Sequence, residues 1–266
     1  MKVSKADIRL FRTLSQKKVR QTERKFILEG WRALKEVLNS SSKVETVAVL
    51  SRYLEDPDYK AILSKLAERG ASIKELSEIE LNELADTVHA QGVLAVVHQK
   101  SYTLDSVRFG PAAMVVAVDA VSDPGNLGSI VRSSDWFDVD ALLLGRGCVD
   151  LYNDKVLRST VGSIFHVPIV ESVDLPGTLG MMKDQGFVIV AFSGDGKQAY
   201  TTLEPRGHSI FVFGSEAHGV SREVRSVADV VVRIPRYGKA DSLNVGVACG
   251  IVLAHARAER ENTKGV

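Results

Sequence analysis

The sequence predicts an α/β protein of two units, the second carrying a parallel sheet covered on both faces. Three observations carry this. Short apolar or β-branched runs alternate with stretches at helical spacing through most of the chain. Hydrophobicity falls once, between Gln99 and Pro111, in a stretch ending in Gly110-Pro111. Beyond it the rhythm restarts with apolar strands separated mostly by helices, the pattern of a parallel sheet with helices on both sides. The expected division is therefore a domain over residues 1–100, a linker over 101–111 and a second domain over 112–266.

In the first domain, residues 4–15 and 30–39 are expected helices, because Ile8, Leu10, Phe11 and Leu14, then Trp31, Leu34, Val37 and Leu38, recur at helical spacing. Val44–Leu50 is short and β-branched. Ala61–Arg69 reads as helix, Ser77–Asp86 opens with a capping residue and first-turn acids, and Val93–Val97 reads as a strand. In the second domain the expected strands are Met114–Val118, Ala141–Leu144, Val167–Val170, Phe187–Phe192, Ile210–Phe213 and Val230–Ile234. The last helix, from about Ser242 to Glu261, has almost no polar face in its first three turns, with Leu243, Val245, Val247, Ala248, Ile251, Val252 and Ala254. Such a helix must be buried all round. One side can meet its own sheet; a subunit interface is the natural cover for the other.

The chain of 266 residues, 45% hydrophobic and 25% charged, has an ordinary globular composition. Met1 to Leu14 do not read as a signal peptide and no apolar run is long enough to span a bilayer, so a cytoplasmic location is expected, without membrane partners. Cys148 and Cys249 lack metal-type spacing and read as buried free thiols; the six histidines form no close metal-type pair. The net charge of +1 conceals a local excess of eight positive charges in the first 35 residues. Within it, Lys17, Lys18, Arg20, Arg24 and Lys25 form a candidate patch for the phosphate backbone of nucleic acid, with a solvated helix face as the alternative.

Three blocks combine small or turn-forming residues with polar side chains at the mouths of expected strands: Asn126 to Arg132, Phe213 to Gly219, and Ile234-Pro235 running on to Ser242-Leu243-Asn244-Val245. Asn126 is suited to cap a helix from Leu127, and Arg132 could pair with Asp135. Glu216 could serve as a cap at a helix start, Gly214 would allow close approach of a ligand, and Ser242 could be an N-cap. Gly145-Arg146-Gly147 lacks the third glycine of a dinucleotide fingerprint, and Gly194 to Lys197 lacks the spacing of a P-loop.

In order and spacing these blocks resemble the three motifs of the SpoU branch of the SPOUT methyltransferases, which move a methyl group from S-adenosylmethionine to a ribose 2′-hydroxyl of structured RNA. The resemblance implies catalytic roles for Asn126, Arg132, Glu216, Ser242 and Asn244. It implies cofactor contacts at Gly214, Ile234 and Leu243 and, less specifically, at Ser193 and Gly194. It also implies a carboxyl-terminal trefoil knot and a homodimer formed across it. The first hundred residues resemble the RNA substrate-binding domain of such enzymes, with Glu29-Gly30 and Gln91-Gly92 at its signature positions. Ribosomal RNA is the expected substrate, with transfer RNA the alternative, and the chemistry requires no metal. A non-catalytic RNA-binding factor and a nucleotide-dependent oxidoreductase are the rival classes.

Overall fold

Capping chemistry sets where many of the helices begin. In chain order the first hundred residues form α1 (Lys5–Leu14), α2 (Lys17–Glu23), β1 (Lys25–Glu29), α3 (Trp31–Leu38), β2 (Val44–Leu50), α4 (Pro57–Glu68), β3 (Ser72–Leu76), α5 (Glu78–Leu84) and β4 (Val93–His98). Ser4 and Ser77 open α1 and α5 with reciprocal capping boxes closed by Asp7 and Glu80. Asp56 caps α4, with Pro57 at its first position, so this helix starts four residues before the expected Ala61. The structure is a computed structural model that describes residues 1–85 and 91–264. The expected end of α5 at Asp86 lies outside the described residues.

The first sheet has the order β1-β4-β2-β3. β4 runs antiparallel to both neighbours, while β2 and β3 are parallel. Phe11, Leu14, Leu50, Leu76, Leu94 and Val96 are among the side chains that fill its core. The two signature glycines have structural causes here. Gly30 has φ +96, and a Cβ there would lie 2.9 Å from Gln91 Oε1. That amide oxygen accepts the Trp31 backbone N–H at 3.1 Å, and the Trp31 indole donates back to the Gln91 carbonyl at 3.0 Å. Gly92, at φ +77, leaves room for Tyr53, whose ring a Cβ would approach to 2.4 Å.

The rest of the chain forms β5 (Met114–Asp119), α6 (Pro124–Trp136), β6 (Ala141–Gly145), α7 (Asp154–Thr160), β7 (Ile169–Val173), α8 (Leu175–Asp184), β8 (Val188–Phe192), β9 (Gln198–Ala199), β10 (Ser209–Gly214), α9 (Arg222–Val227), β11 (Val230–Arg233) and α10 (Val245–Lys264). Seven strands make one sheet, ordered β7-β6-β5-β10-β8-β11-β9, with every neighbouring pair parallel. β5, β6 and β10 are buried along their whole length, as strands covered on both faces must be.

Packing divides the chain into Met1–Lys100 with Tyr152–His166, and Ser101–Leu151 with Val167–Val266. The segment 152–166, which the sequence groups with the second half, thus packs in the first unit. There Phe26 lies 4.8 Å from the Tyr152 ring and 6.3 Å from that of Phe165. In the second unit α10 is tied down by two arginines near its end. Arg260 is buried and donates to the carbonyls of Pro205 at 2.8 Å, Gly207 at 2.9 Å and Ala113 at 3.2 Å, while Arg257 donates to Phe137 and Asp138.

Candidate active site

β5 and β10 lie side by side in the seven-stranded sheet. The order continues through β6 and β7 on one flank and through β8, β11 and β9 on the other. In such open parallel sheets the crevice outside the carboxyl ends of the strands at this switch is where polar groups can gather. Two of the sequence blocks begin there, after Asp119 and at Gly214. Asp119 is itself 9% exposed, and its carboxylate accepts the Ser221 N–H at 2.7 Å, tying the two loops together.

Asn126 does not cap α6. The cap is Asp123, whose carboxylate accepts the Asn126 N–H at 2.8 Å, with Pro124 at the first helical position. Relieved of capping, the Asn126 side chain faces two other elements. Asn244, rather than Ser242, stands before α10, and its Oδ1 accepts the N–H groups of Gly246 at 2.9 Å and Val247 at 3.2 Å. Two backbone donors leave only the acceptor orientation for that oxygen. Its Nδ2 must therefore face outward, and it donates to Asn126 Oδ1 at 2.7 Å. Asn126 then presents Nδ2 to Glu216, donating to its carboxylate. A one-way chain of donors thus runs from the amino end of α10 to an exposed carboxylate, joining residues 118 positions apart in sequence. Glu216 caps no helix.

Gly214 is required by the fold itself. A Cβ there would lie 2.0 Å from the carbonyl carbon of Gly219 and 2.1 Å from the nitrogen of Val220. The close approach is therefore by the protein's own backbone, where Ser215 and Gly219 exchange hydrogen bonds across the turn that carries Glu216. Ser193 and Gly194 lie after β8. The Ser193 hydroxyl donates to Asp195 at 2.5 Å, and Arg225 grips the same carboxylate through two contacts, at 3.0 and 2.9 Å. The Ser193 hydroxyl and Arg225 hold the Asp195 carboxyl below the usual carboxylate range. Arg233 fixes the same loop by donating to the carbonyls of Gly196 and Lys197 at 2.5 and 2.8 Å.

Ile234 follows β11 and is half-buried, and Leu243 is 48% exposed. Ser242 is exposed and lies outside the Asn126–Glu216–Asn244 chain. So does Arg132, an exposed residue on α6 with no hydrogen bond or ion pair among the described residues, Asp135 included. Six helical residues separate it from Asn126, about 9 Å along the axis and about 240° around it. The cysteines divide: Cys249 is fully buried, which pushes its thiol up, while Cys148 is only partly covered.

The basic patch is smaller than its sequence. Arg20 is 3% exposed and donates to the carbonyls of Leu14 and Ser15 at 3.0 and 2.6 Å, closing the end of α1. Lys25 is in β1 and pairs with Glu45 at 2.9 Å. Lys17, Lys18 and Arg24 remain exposed. Residues missed by sequence reasoning include Asp123, Asp119, Arg225 and Arg233. Only Asp123 carries a local signal, an acid directly before a proline at a helix start.

Comparison with known proteins supplies the context. Residues 113–254 match the SpoU rRNA Methylase family, and residues 27–103 match the domain described as RNA 2′-O ribose methyltransferase substrate binding. The chain is 32% identical over 247 residues to the 23S rRNA (guanosine(2553)-2′-O)-methyltransferase RlmP of Bacillus subtilis, covering 93% of this chain and 94% of that one. Among solved structures it is similar to an AdoMet-bound rRNA methyltransferase from Sinorhizobium meliloti, with TM-score 0.86, 28% identity and 97% of each chain covered. It is also similar to the SpoU methyltransferase AviRb of Streptomyces viridochromogenes in complex with AdoMet, with TM-score 0.87, 25% identity, and 97% and 99% of the two chains covered. With the three sequence blocks brought to the carboxyl ends of a parallel sheet and both halves matched, the chain belongs to the SpoU rRNA methylase family.

Proposed function

We propose that this protein methylates a ribose 2′-hydroxyl of ribosomal RNA with S-adenosylmethionine as donor. The observation that carries the reading is the convergence of Asn126, Glu216 and Asn244 at the switch between β5 and β10. Ribosomal RNA is favoured over transfer RNA because the rRNA-named relatives align over both units. The Aquifex protein described as a TrmH/SpoU tRNA modifying enzyme aligns over 57% of this chain.

The residues present fit the donor. Ile234 and Leu243 offer apolar contacts where β11 gives way to the loop before α10, Leu243 being half exposed. Gly214, Ser193 and Gly194 would contribute backbone and hydroxyl groups from the neighbouring strand ends. When bound, S-adenosylmethionine supplies an electrophilic methyl group on a sulfonium. The work of this chain's residues is then to align the hydroxyl with it, which supplies much of the rate. Asn126 and Asn244 fix the Glu216 carboxylate, whose free oxygen can accept a hydrogen bond from a ribose hydroxyl. Ser242, exposed two residues before Asn244, would donate to the same ribose. Arg132 is assigned to an RNA phosphate, because a guanidinium is a planar, permanently charged fork for phosphate and a poor proton acceptor.

The active form is read as a cytoplasmic homodimer. α10 buries Cys249, Val252, Leu253 and Ala256 against its own unit, yet leaves Val247 50% exposed, with Ile251 half-buried on the same side. A second copy would cover that side, and light scattering should give about twice the 29.0 kDa chain mass. The segment from about Phe211 to Ala256 is proposed to form the trefoil knot of the family.

The test of the function is methyl transfer to purified ribosomal RNA followed by alkaline hydrolysis. A 2′-O-methyl group protects its own linkage, so one protected position should appear. Label that remains alkali-sensitive, or enters bases, would contradict the reading.

A further inference from the structure

The first unit has a cleft of its own, about 290 Å³ in volume. Ligand pockets run from ~300 to 1,000 Å³, so this one has room for a nucleoside-sized group and none for a duplex. It is built by the corner between β1 and α3, by Leu84, Gln91 and Leu94, and by the returning helix α7. Ile27, Ala33, Leu94 and Leu157 give it apolar walls, while Arg32 from α3 and Arg158 from α7 stand exposed at its edge. Neither guanidinium has a hydrogen-bond or ion-pair partner among the described residues.

Val161, which also lines the cleft, ends α7 in the left-handed region at φ 53 and ψ 31, a strained conformation for a β-branched residue. Gly162 follows at φ +99, and a Cβ there would lie 2.4 Å from the Glu36 side chain of α3. The turn that follows α7 thereby meets α3, while α7 itself packs on β1.

An apolar slot edged by two guanidinium groups matches one chemistry closely: a flat base between aliphatic walls, with phosphate on planar cationic forks. A bare phosphate would leave the walls uncovered, and the carboxylates of Glu29 and Asp154, which also line the cleft, would oppose it. We propose that this cleft takes one unpaired nucleotide of the RNA, with Arg32 and Arg158 on its phosphates. The substrate must then offer an unstacked nucleotide in addition to the one that is methylated. The inference rests on the reading that RNA is the substrate.

The test uses the full chain and a single-stranded RNA carrying one 2-aminopurine, alone and annealed to its complement. Wild-type protein should bind the single strand at least about tenfold more tightly than the duplex, with a change in probe fluorescence on binding. Arg32→Ala with Arg158→Ala should lose about tenfold in single-strand affinity and leave duplex affinity and S-adenosylmethionine binding unchanged. Ala33→Trp, which fills the slot without altering charge, should abolish the fluorescence change. Single-strand binding unaltered in both variants, or a loss shared equally by the duplex, would overturn the cleft while leaving the methyltransferase reading intact. A wild-type protein that binds neither RNA would overturn both.

Discussion

Polar side chains in the two units are held in opposite ways. At the switch between β5 and β10, Asn244, Asn126 and Glu216 form a one-directional chain anchored on the amino end of a 20-residue helix. Each side chain has one orientation because the one before it does. On α2, by contrast, Lys17 and Lys18 extend into solvent, while their neighbour Arg20 folds inward to close the end of α1. Fixed dipoles suit a reaction in which a hydroxyl must be aligned within fractions of an ångström. Mobile cations suit an RNA backbone, which is gripped by counterion release and tolerates imprecision. The difference teaches that charge in the sequence and charge available to a partner are separate quantities.

The contrast can be broken most forcefully at Arg132 and Glu216. Arg132→Ala and Glu216→Ala should each reduce methyl transfer by ~10²-fold or more, measured as single-turnover rates, while calorimetry shows cofactor binding retained. Next in size is Gly214→Val. Its side chain would meet the backbone of Gly219 and Val220, so the turn bearing Glu216 must shift; a loss of ~3 kcal/mol in chemical denaturation is expected, with loss of activity.

The basic surface should respond differently from residue to residue. Arg20→Ala should destabilise the protein by about 2 kcal/mol, since the carbonyls of Leu14 and Ser15 lose their donor, and should leave the salt dependence of RNA binding unchanged. Lys17→Ala with Lys18→Ala should do the reverse. Stability should stay within about 0.5 kcal/mol, while the slope of log affinity against log salt flattens by up to about 0.9 per lost phosphate contact on a duplex.

The smallest effect concerns the loop after β8. The Asp195 carboxyl is held below its ordinary value first by Ser193 and then by Arg225. A lowered folded-state value means that its contribution is present above the unfolded carboxylate value and is lost as pH falls through the folded one. The loop should loosen only in acid, below about pH 4. Amide exchange across Ser193–Lys197 should show this, and Asp195→Asn should remove the pH dependence at neutral cost to the core.

Six of the seven strands of the parallel sheet were legible as apolar runs, while β9, the two residues Gln198–Ala199, was not. β1 and β3 were not, since Lys25–Glu29 and Ser72–Leu76 are five-residue strands on the two edges of their sheet, where charged residues interrupt the pattern. The return of residues 152–166 to the first unit has no local signature, because only tertiary packing around Phe26 reveals it. At the site, the motif residues were visible, but their hydrogen-bonding order was not. Asn126 looked like a cap until Asp123 took that place, and the crowding of Gly214 by the backbone of Gly219 and Val220 has no local pattern to announce it.

The central claim is that the Asn126 chain acts in the reaction while the exposed lysines act in the grip. Saturation kinetics in RNA, run side by side on Asn126→Ala and on the Lys17, Lys18 double variant at saturating S-adenosylmethionine, test it most directly. The double variant should need more RNA but reach the wild-type maximal rate. Asn126→Ala should plateau ~10²-fold lower at every RNA concentration. A maximal rate for Asn126→Ala within twofold of wild type, or one for the lysine variant that RNA cannot restore, would contradict it.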